Sequence, residues 1–182
     1  MSASSKTKTA PRAPSKALAA RKAPEVLQTI GWREWVTLPN LKLGRIKAKV
    51  DTGARSSCLD AVQVEMTGPE RNRLVKFVVL HEVDGKTQRL TCESPLIDQR
   101  WVRSSDGRRE FRPVVRTEVR LFDESWLIEV TLTSRAVMGF RMLLGRQAIR
   151  KRFVVDPARS FVAEKAARLK RRKAAIRKAK VL

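Results

Sequence analysis

Between Arg45 and Val50 the chain alternates without a break. Ile46, Ala48 and Val50 fall on one side, Arg45, Lys47 and Lys49 on the other. A period of two marks a half-buried β-strand, because a helix would carry residues i and i+2 to different faces. Other stretches share this character. Arg33–Leu38 ends at the turn signal Pro39-Asn40, and Leu74–Leu80 is β-branched and aromatic in makeup. Asp84-Gly85 is a hairpin signal leading into Thr87–Cys92. Further strands are expected at 95–102, 110–121 and 126–133, with Asp106-Gly107 turning between the first two. Only Gly145–Arg150 reads as helical here, and the sequence has no internal repeat. Many short strands with turns at this spacing predict an all-β small barrel or sandwich with one short helix.

The strands do not fill the chain, and charge shows where they stop. The 182 residues hold 40 Lys and Arg against 18 Asp and Glu, a net charge of +22. Residues 1–28 carry +5, residues 164–182 carry +8, and the long middle only +9. The N-terminal stretch is Ser, Ala, Pro and Lys with almost nothing to bury, which predicts a disordered basic arm. It has no apolar signal-peptide core, and prolines at 11, 14 and 24 spoil the amphipathic helix of a transit peptide, so the expectation is a cytoplasmic protein. The C-terminal stretch is rich in Ala, Lys, Arg and Leu, good helix formers whose like charges repel. Either it forms a helix on RNA or another polyanion, or it is a solubilising tail. The organisation expected is thus a tail over 1–28, a folded domain over 29–163 and a basic helix or tail over 164–182.

The inventory excludes several functions. No apolar run is long enough to span a membrane. Two cysteines cannot make a disulfide-rich scaffold. With His81 as the sole histidine, a Ser-His-Asp triad would have one candidate base and a His-Glu-x-x-His zinc site is excluded.

The alternating strand ends in Asp51-Thr52-Gly53-Ala54, a carboxylate in a turn of small residues. About ninety residues later comes Leu143-Leu144-Gly145-Arg146, opening the short helix. This pair of motifs resembles the retropepsin-like aspartic peptidases. Gly31-Trp32-Arg33-Glu34, KAKVDTGARSS, RWVRSSDGRRE and GFRMLLGR are closer still to one bacterial retropepsin-like family. That family is traditionally labelled an ATP-dependent zinc protease and is associated with the ligase that adds glutamates to a ribosomal protein. The sequence has no G-x-x-x-x-G-K-[ST] loop for ATP, and its one His and two Cys lack zinc-ligand spacing, so no cofactor and no metal are expected.

The resemblance implies a retropepsin-like closed barrel over about 29–163, with Asp51 as the catalytic residue. Thr52, Gly53 and Ala54 would support the active-site turn, and Leu143, Leu144, Gly145 and Arg146 would form the structural motif behind it. Gly53 is expected to use backbone angles closed to other residues. In the family, the threonine matching Thr52 braces the turn across a dimer. The chain carries only one Asp-Thr-Gly, since Asp156 is followed by Pro157, so the resemblance implies a homodimer sharing an Asp51/Asp51′ dyad. Two adjoining carboxylates cannot both ionise. One then takes a proton from the attacking water while the other donates to the peptide carbonyl. The expected flap is Trp101–Pro113, with Ser104, Ser105, Asp106 and Gly107 at its tip. The sequence has Arg55-Ser56-Ser57 where viral members have acids, so Arg146 is expected to find another acid or to face the substrate.

Taken alone, Asp51 is also a sensible turn residue at a strand end. The arginine-rich faces, including Arg55, Arg103 and Arg112, read either as solvated or as contacts for an acidic, glutamate-rich peptide. The four tryptophans read as core or interface aromatics, and Cys58 and Cys92 as buried thiols. The resulting reading is a homodimeric aspartic endopeptidase acting on acidic or ribosome-associated proteins. The alternative is a weak or inactive dimer of the same fold that serves as a ribosome- or RNA-binding adaptor or regulates a glutamate ligase.

Overall fold

A computed structural model describes residues 27–83, 85–103, 107–135 and 139–179. The arm expected over 1–28 lies, except for its last two residues, outside the described residues. The chain runs β1 (Gln28–Gly31), β2 (Arg33–Leu38), β3 (Leu43–Asp51), β4 (Ser57–Asp60), β5 (Val62–Thr67), β6 (Leu74–Val83), β7 (Lys86–Arg103), β8 (Arg109–Leu121), β9 (Glu124–Thr133), β10 (Met142–Gly145), α1 (Arg146–Ile149), β11 (Phe153–Asp156) and α2 (Val162–Ala179).

Six strands close a ring in the order β2-β3-β10-β4-β9-β8, and Thr37 opposite Arg120 joins β8 back to β2. Closure removes the unpaired edges of those strands, as in other small barrels. The alternating residues do what their period requires. Ile46, Ala48 and Val50 of β3 point inward, where they meet Val36 and Leu38 of β2, Leu59 of β4 and Leu144 of β10 in one continuous core.

The stretches expected as two strands, 87–92 and 95–102, belong to one eighteen-residue strand that changes partner midway. Up to Pro95 it pairs with β6; from Leu96 it pairs with β8, with a register shift between Leu96 and Asp98. Beyond the corner, β6 and β5 form a flanking layer that sends Val75, Phe77 and Val79 into the same core. Among the described residues, β5 ends this sheet without a further neighbour. The parallel pair β1–β11 was not foreseen. It lies beside the barrel, with Phe153 against the rings of Phe122 and Trp126.

α2 is folded as a helix, and its root explains why. Glu34 sits on the inward register of β2 and is completely buried. Its Oε1 accepts from the backbone N–H of Gly31 and of Val162, each 2.8 Å, and its Oε2 from Ala163 N–H at 3.2 Å. A carboxylate from a neighbouring strand thus caps the first turn, where free N–H groups and the helix dipole favour negative charge. Phe161, just before the helix, has φ +54, an uncommon conformation for a bulky residue. Its ring stacks on Trp35 at 5.6 Å beneath the Arg33 guanidinium, and its N–H donates to Arg33 O. No described helix is long and apolar enough to cross a membrane.

Candidate active site

β10 lies between β3 and β4, parallel to β3, with Gly145 directly opposite Asp51. This register brings the two sequence motifs together although ninety residues separate them. Asp51 is the last residue of β3 and is half-buried. Its Oδ1 accepts from the N–H groups of Gly53 and Ala54, both at 3.0 Å, which folds the turn back over the carboxylate. Oδ2 has no partner among the described residues. Gly53 does not use a left-handed conformation, contrary to expectation. A Cβ there would stand 3.3 Å from Asp51 Oδ1, so what this glycine supplies is room beside the carboxylate.

The Leu-Leu-Gly-Arg segment clamps the turn from behind. Leu144 is fully buried in the core, while Leu143 sits on the other face of β10. Gly145 N–H donates to Ser57 Oγ at 3.1 Å, and a Cβ on Gly145 would lie 2.4 Å from the Ser56 carbonyl. The free N–H groups opening α1 donate into the turn, Arg146 to Ala54 O and Gln147 to Arg55 O. Arg146 neither meets an acid nor points away. Its Nη1 donates to the carbonyls of Thr52 at 2.8 Å and Gly53 at 3.4 Å, so the guanidinium holds the turn by its backbone. That outcome follows from Arg55-Ser56-Ser57. With no acid at those three positions, Arg146 takes the backbone carbonyls of the turn as its acceptors.

Residues two apart on β3 share a face, so Arg45, Lys47 and Lys49 line up with Asp51. Across the sheet, Lys49 is opposite Leu143 and Leu143 is opposite Cys58. The basic row leads down into a cleft of about 200 Å³, lined by Trp35, Arg45, Lys47, His81, Arg135 and Arg141 among others, with Glu82 as the one acid among the described lining residues. His81 is a half-buried lining residue, and its Nδ1 has no hydrogen-bond partner among the described residues. The buried Asp60 anchors this wall, accepting from Arg135 N–H and from the Arg141 guanidinium.

Arg112, expected among solvated arginines, is buried. Its Nε donates to Glu110 at 2.8 Å, Glu110 accepts from Thr133 Oγ1, and its Nη1 lies 3.9 Å from Cys58 Sγ. Its signal was the period-two step back from the inward Val114. Arg55 and Arg103 are exposed, and no hydrogen bond or ion pair joins their side chains to other described residues. Of the expected flap, Trp101–Arg103 and 107–113 form the described legs of a hairpin, and Gly107 has φ +85. Its tip residues Ser104, Ser105 and Asp106 lie outside the described residues. Trp101 is 61% exposed on this hairpin, packed at 5.3 Å against Phe111 with Arg109 over its ring. Thr52 is exposed at the turn. Cys58 and Cys92 are both free and buried, and burial pushes the Cys92 thiol up to about 11. Among the described residues, no three His, Cys, Asp or Glu side chains gather as a metal site.

Comparison with known proteins adds three findings. A family model described as RimB-like, retropepsin-like aspartic endopeptidase RimB, matches residues 29–166. A protein of Desulfotalea psychrophila named probable alpha-L-glutamate ligase is 42% identical over 130 residues, covering 71% of this chain and 28% of the ligase. A like-named protein of Parasynechococcus marenigrum is 43% identical over 128 residues, again covering 28% of the ligase. The chain thus spans under a third of the length of those relatives. A crystal structure of a Legionella pneumophila protein of unknown function superposes with a TM-score of 0.62 at 29% identity, covering 75% of this chain and 98% of that one.

Proposed function

The chain belongs to the RimB-like family of retropepsin-like aspartic endopeptidases, and from that premise we propose that it is a cytoplasmic, homodimeric aspartic endopeptidase with residues 29–163 as its catalytic domain. The observation that carries this reading is the half-tethered carboxylate of Asp51. One oxygen is held by two backbone N–H groups and the other is left to act, in a turn clamped by Arg146 and Gly145.

One such carboxylate is half of the machinery. Two copies related by a two-fold axis bring Asp51 and Asp51′ together around one water and one shared proton. The ionised member draws a proton from the water as its oxygen attacks the peptide carbonyl, and the protonated member donates to the carbonyl oxygen. The C–N bond then breaks as the leaving nitrogen takes a proton from the dyad. The pair titrates as a unit. No step requires a cofactor or a metal.

The substrate reading rests on charge. Lys49, Lys47 and Arg45 share the face of Asp51 and lead to a cleft where Arg135 and Arg141 join Arg45 and Lys47, which suits an acidic peptide. The name of the ligase relatives, which contain this module within longer chains, supports glutamate as the acid.

The test is Asp51→Asn on cleavage of a glutamate-rich peptide. Cleavage should fall by about 10³-fold or more, while sedimentation shows the same dimer and circular dichroism the same fold. Undiminished cleavage by that variant would end the peptidase reading and leave the adaptor.

A further inference from the structure

α2 has more charge than anything it touches can use. From Val162 to Ala179 it carries eight lysines and arginines against one acid, Glu164. Two ion pairs tie it to the barrel, Glu164 to Arg45 at 3.0 Å and Lys170 to Asp123 at 2.6 Å. These contacts fix its course. It starts at Glu34, opposite Ala48, passes Arg45 at the other end of β3, and reaches Asp123 in the β8–β9 turn. The helix therefore descends the barrel away from Asp51. Residues 167–177 are all exposed. Among the described residues, Arg168, Arg171, Arg172, Lys173 and Arg177 have no ion-pair partner. The family match ends at residue 166, so this exposed stretch lies outside the matched residues.

At 100° per residue these five cations spread around the helix and do not form one stripe. Its exposed apolar side chains, Leu169 and Ile176, make only a thin stripe between cations, and it has no aromatic residue on which bases could stack. Its chemistry suits a polyanion whose charges approach from several sides. Folded RNA, with phosphate walls meeting at bulges and junctions, provides that. A DNA duplex presents a uniform rod, and an extended acidic peptide a single line of charge.

We propose that α2 is an RNA-docking arm, which binds the phosphates of folded RNA at the pole of the barrel opposite Asp51. The root is fixed by Glu34 and by the Trp35–Phe161 stack, so the arm holds the barrel at a set orientation with the Asp51 end free.

The experiment measures binding of the full chain to unmodified transfer RNA, to a DNA duplex of equal charge and to poly-glutamate, across salt. Transfer RNA should bind at least about tenfold tighter than the other two, with log K falling against log salt at a slope of about −3.5 to −4.5 for five neutralised phosphates. The variant Arg168→Glu, Arg171→Glu, Arg172→Glu should weaken RNA binding by about 30-fold or more and flatten the slope by about 2 to 3, with an unchanged thermal midpoint. Equal binding of DNA or poly-glutamate would overturn the assignment to RNA. Undiminished RNA binding by the triple variant would overturn the arm itself. Asp51→Asn should bind RNA as the parent does, so this result stands apart from the peptidase reading.

Discussion

Glu34 is a carboxylate with no exposure that serves three backbone N–H donors in two segments far apart in sequence. Burying a charge is costly unless hydrogen bonds replace the lost water, and here two of the three come from the positive end of a helix. Glu34→Gln keeps the shape but sets an amide nitrogen against an N–H. It should cost about 2 kcal/mol in urea unfolding, because charge-assisted bonds are about twice as strong as neutral ones. A glutamine variant as stable as the parent would show that the charge is immaterial. Gly31 belongs to the same clasp, since a Cβ there would lie 2.3 Å from Arg159 O. Both residues stand in the Gly-Trp-Arg-Glu motif. Their pattern was visible, because an acid on the inward register of β2 needs a partner. The identity of that partner, more than 120 residues away, was not.

At the scale of elements, the site is one register. β3, β10 and α1 place Gly145 opposite Asp51 and send the first N–H groups of α1 into the turn. Gly145→Ala would drive a Cβ into the Ser56 backbone, which cannot rotate aside as a side chain can. Displacing the turn by even about 1 Å should cost about 10²-fold in kcat/KM. The matched control is Gly44→Ala on β3, where nothing lies within 4 Å of the new Cβ. Its stability should stay within about 0.5 kcal/mol of the parent and its activity unchanged. If both variants cleave equally well, the clamp does not position the carboxylate. The strands of this site were legible because β3 alternates and Asp51 ends it. The short β4 and β10 were not, since four buried residues in a row carry no period to read. The role of Arg146 was also hidden. Its acceptors are backbone carbonyls, which the sequence does not distinguish from any others.

For the whole molecule, the decisive quantity is how many chains make one site. If each site needs Asp51 from two copies, mixing parent with an equal amount of Asp51→Asn chain and allowing exchange should leave roughly a quarter of the dimers intact, with activity following the square of the parent fraction. Activity that falls only in proportion to the parent fraction would place a complete site in one chain. Association of this kind has to be selective, and the sheet shows how unwanted pairing is kept out. Ring closure disposes of six strands, but among the described residues the outer edge of β5 has no neighbour, with Val64 and Met66 exposed. A flat apolar border would be a template for any passing strand. This one is not flat. Its pairing slips between Val62 and Glu65, Gln63 takes φ +52 at the slip, and Glu65 sets a charge on the face opposite Met66. A newcomer would find its hydrogen-bond ladder out of step at the slip. The irregularity of β5 is thus a guard against strand pairing at this border.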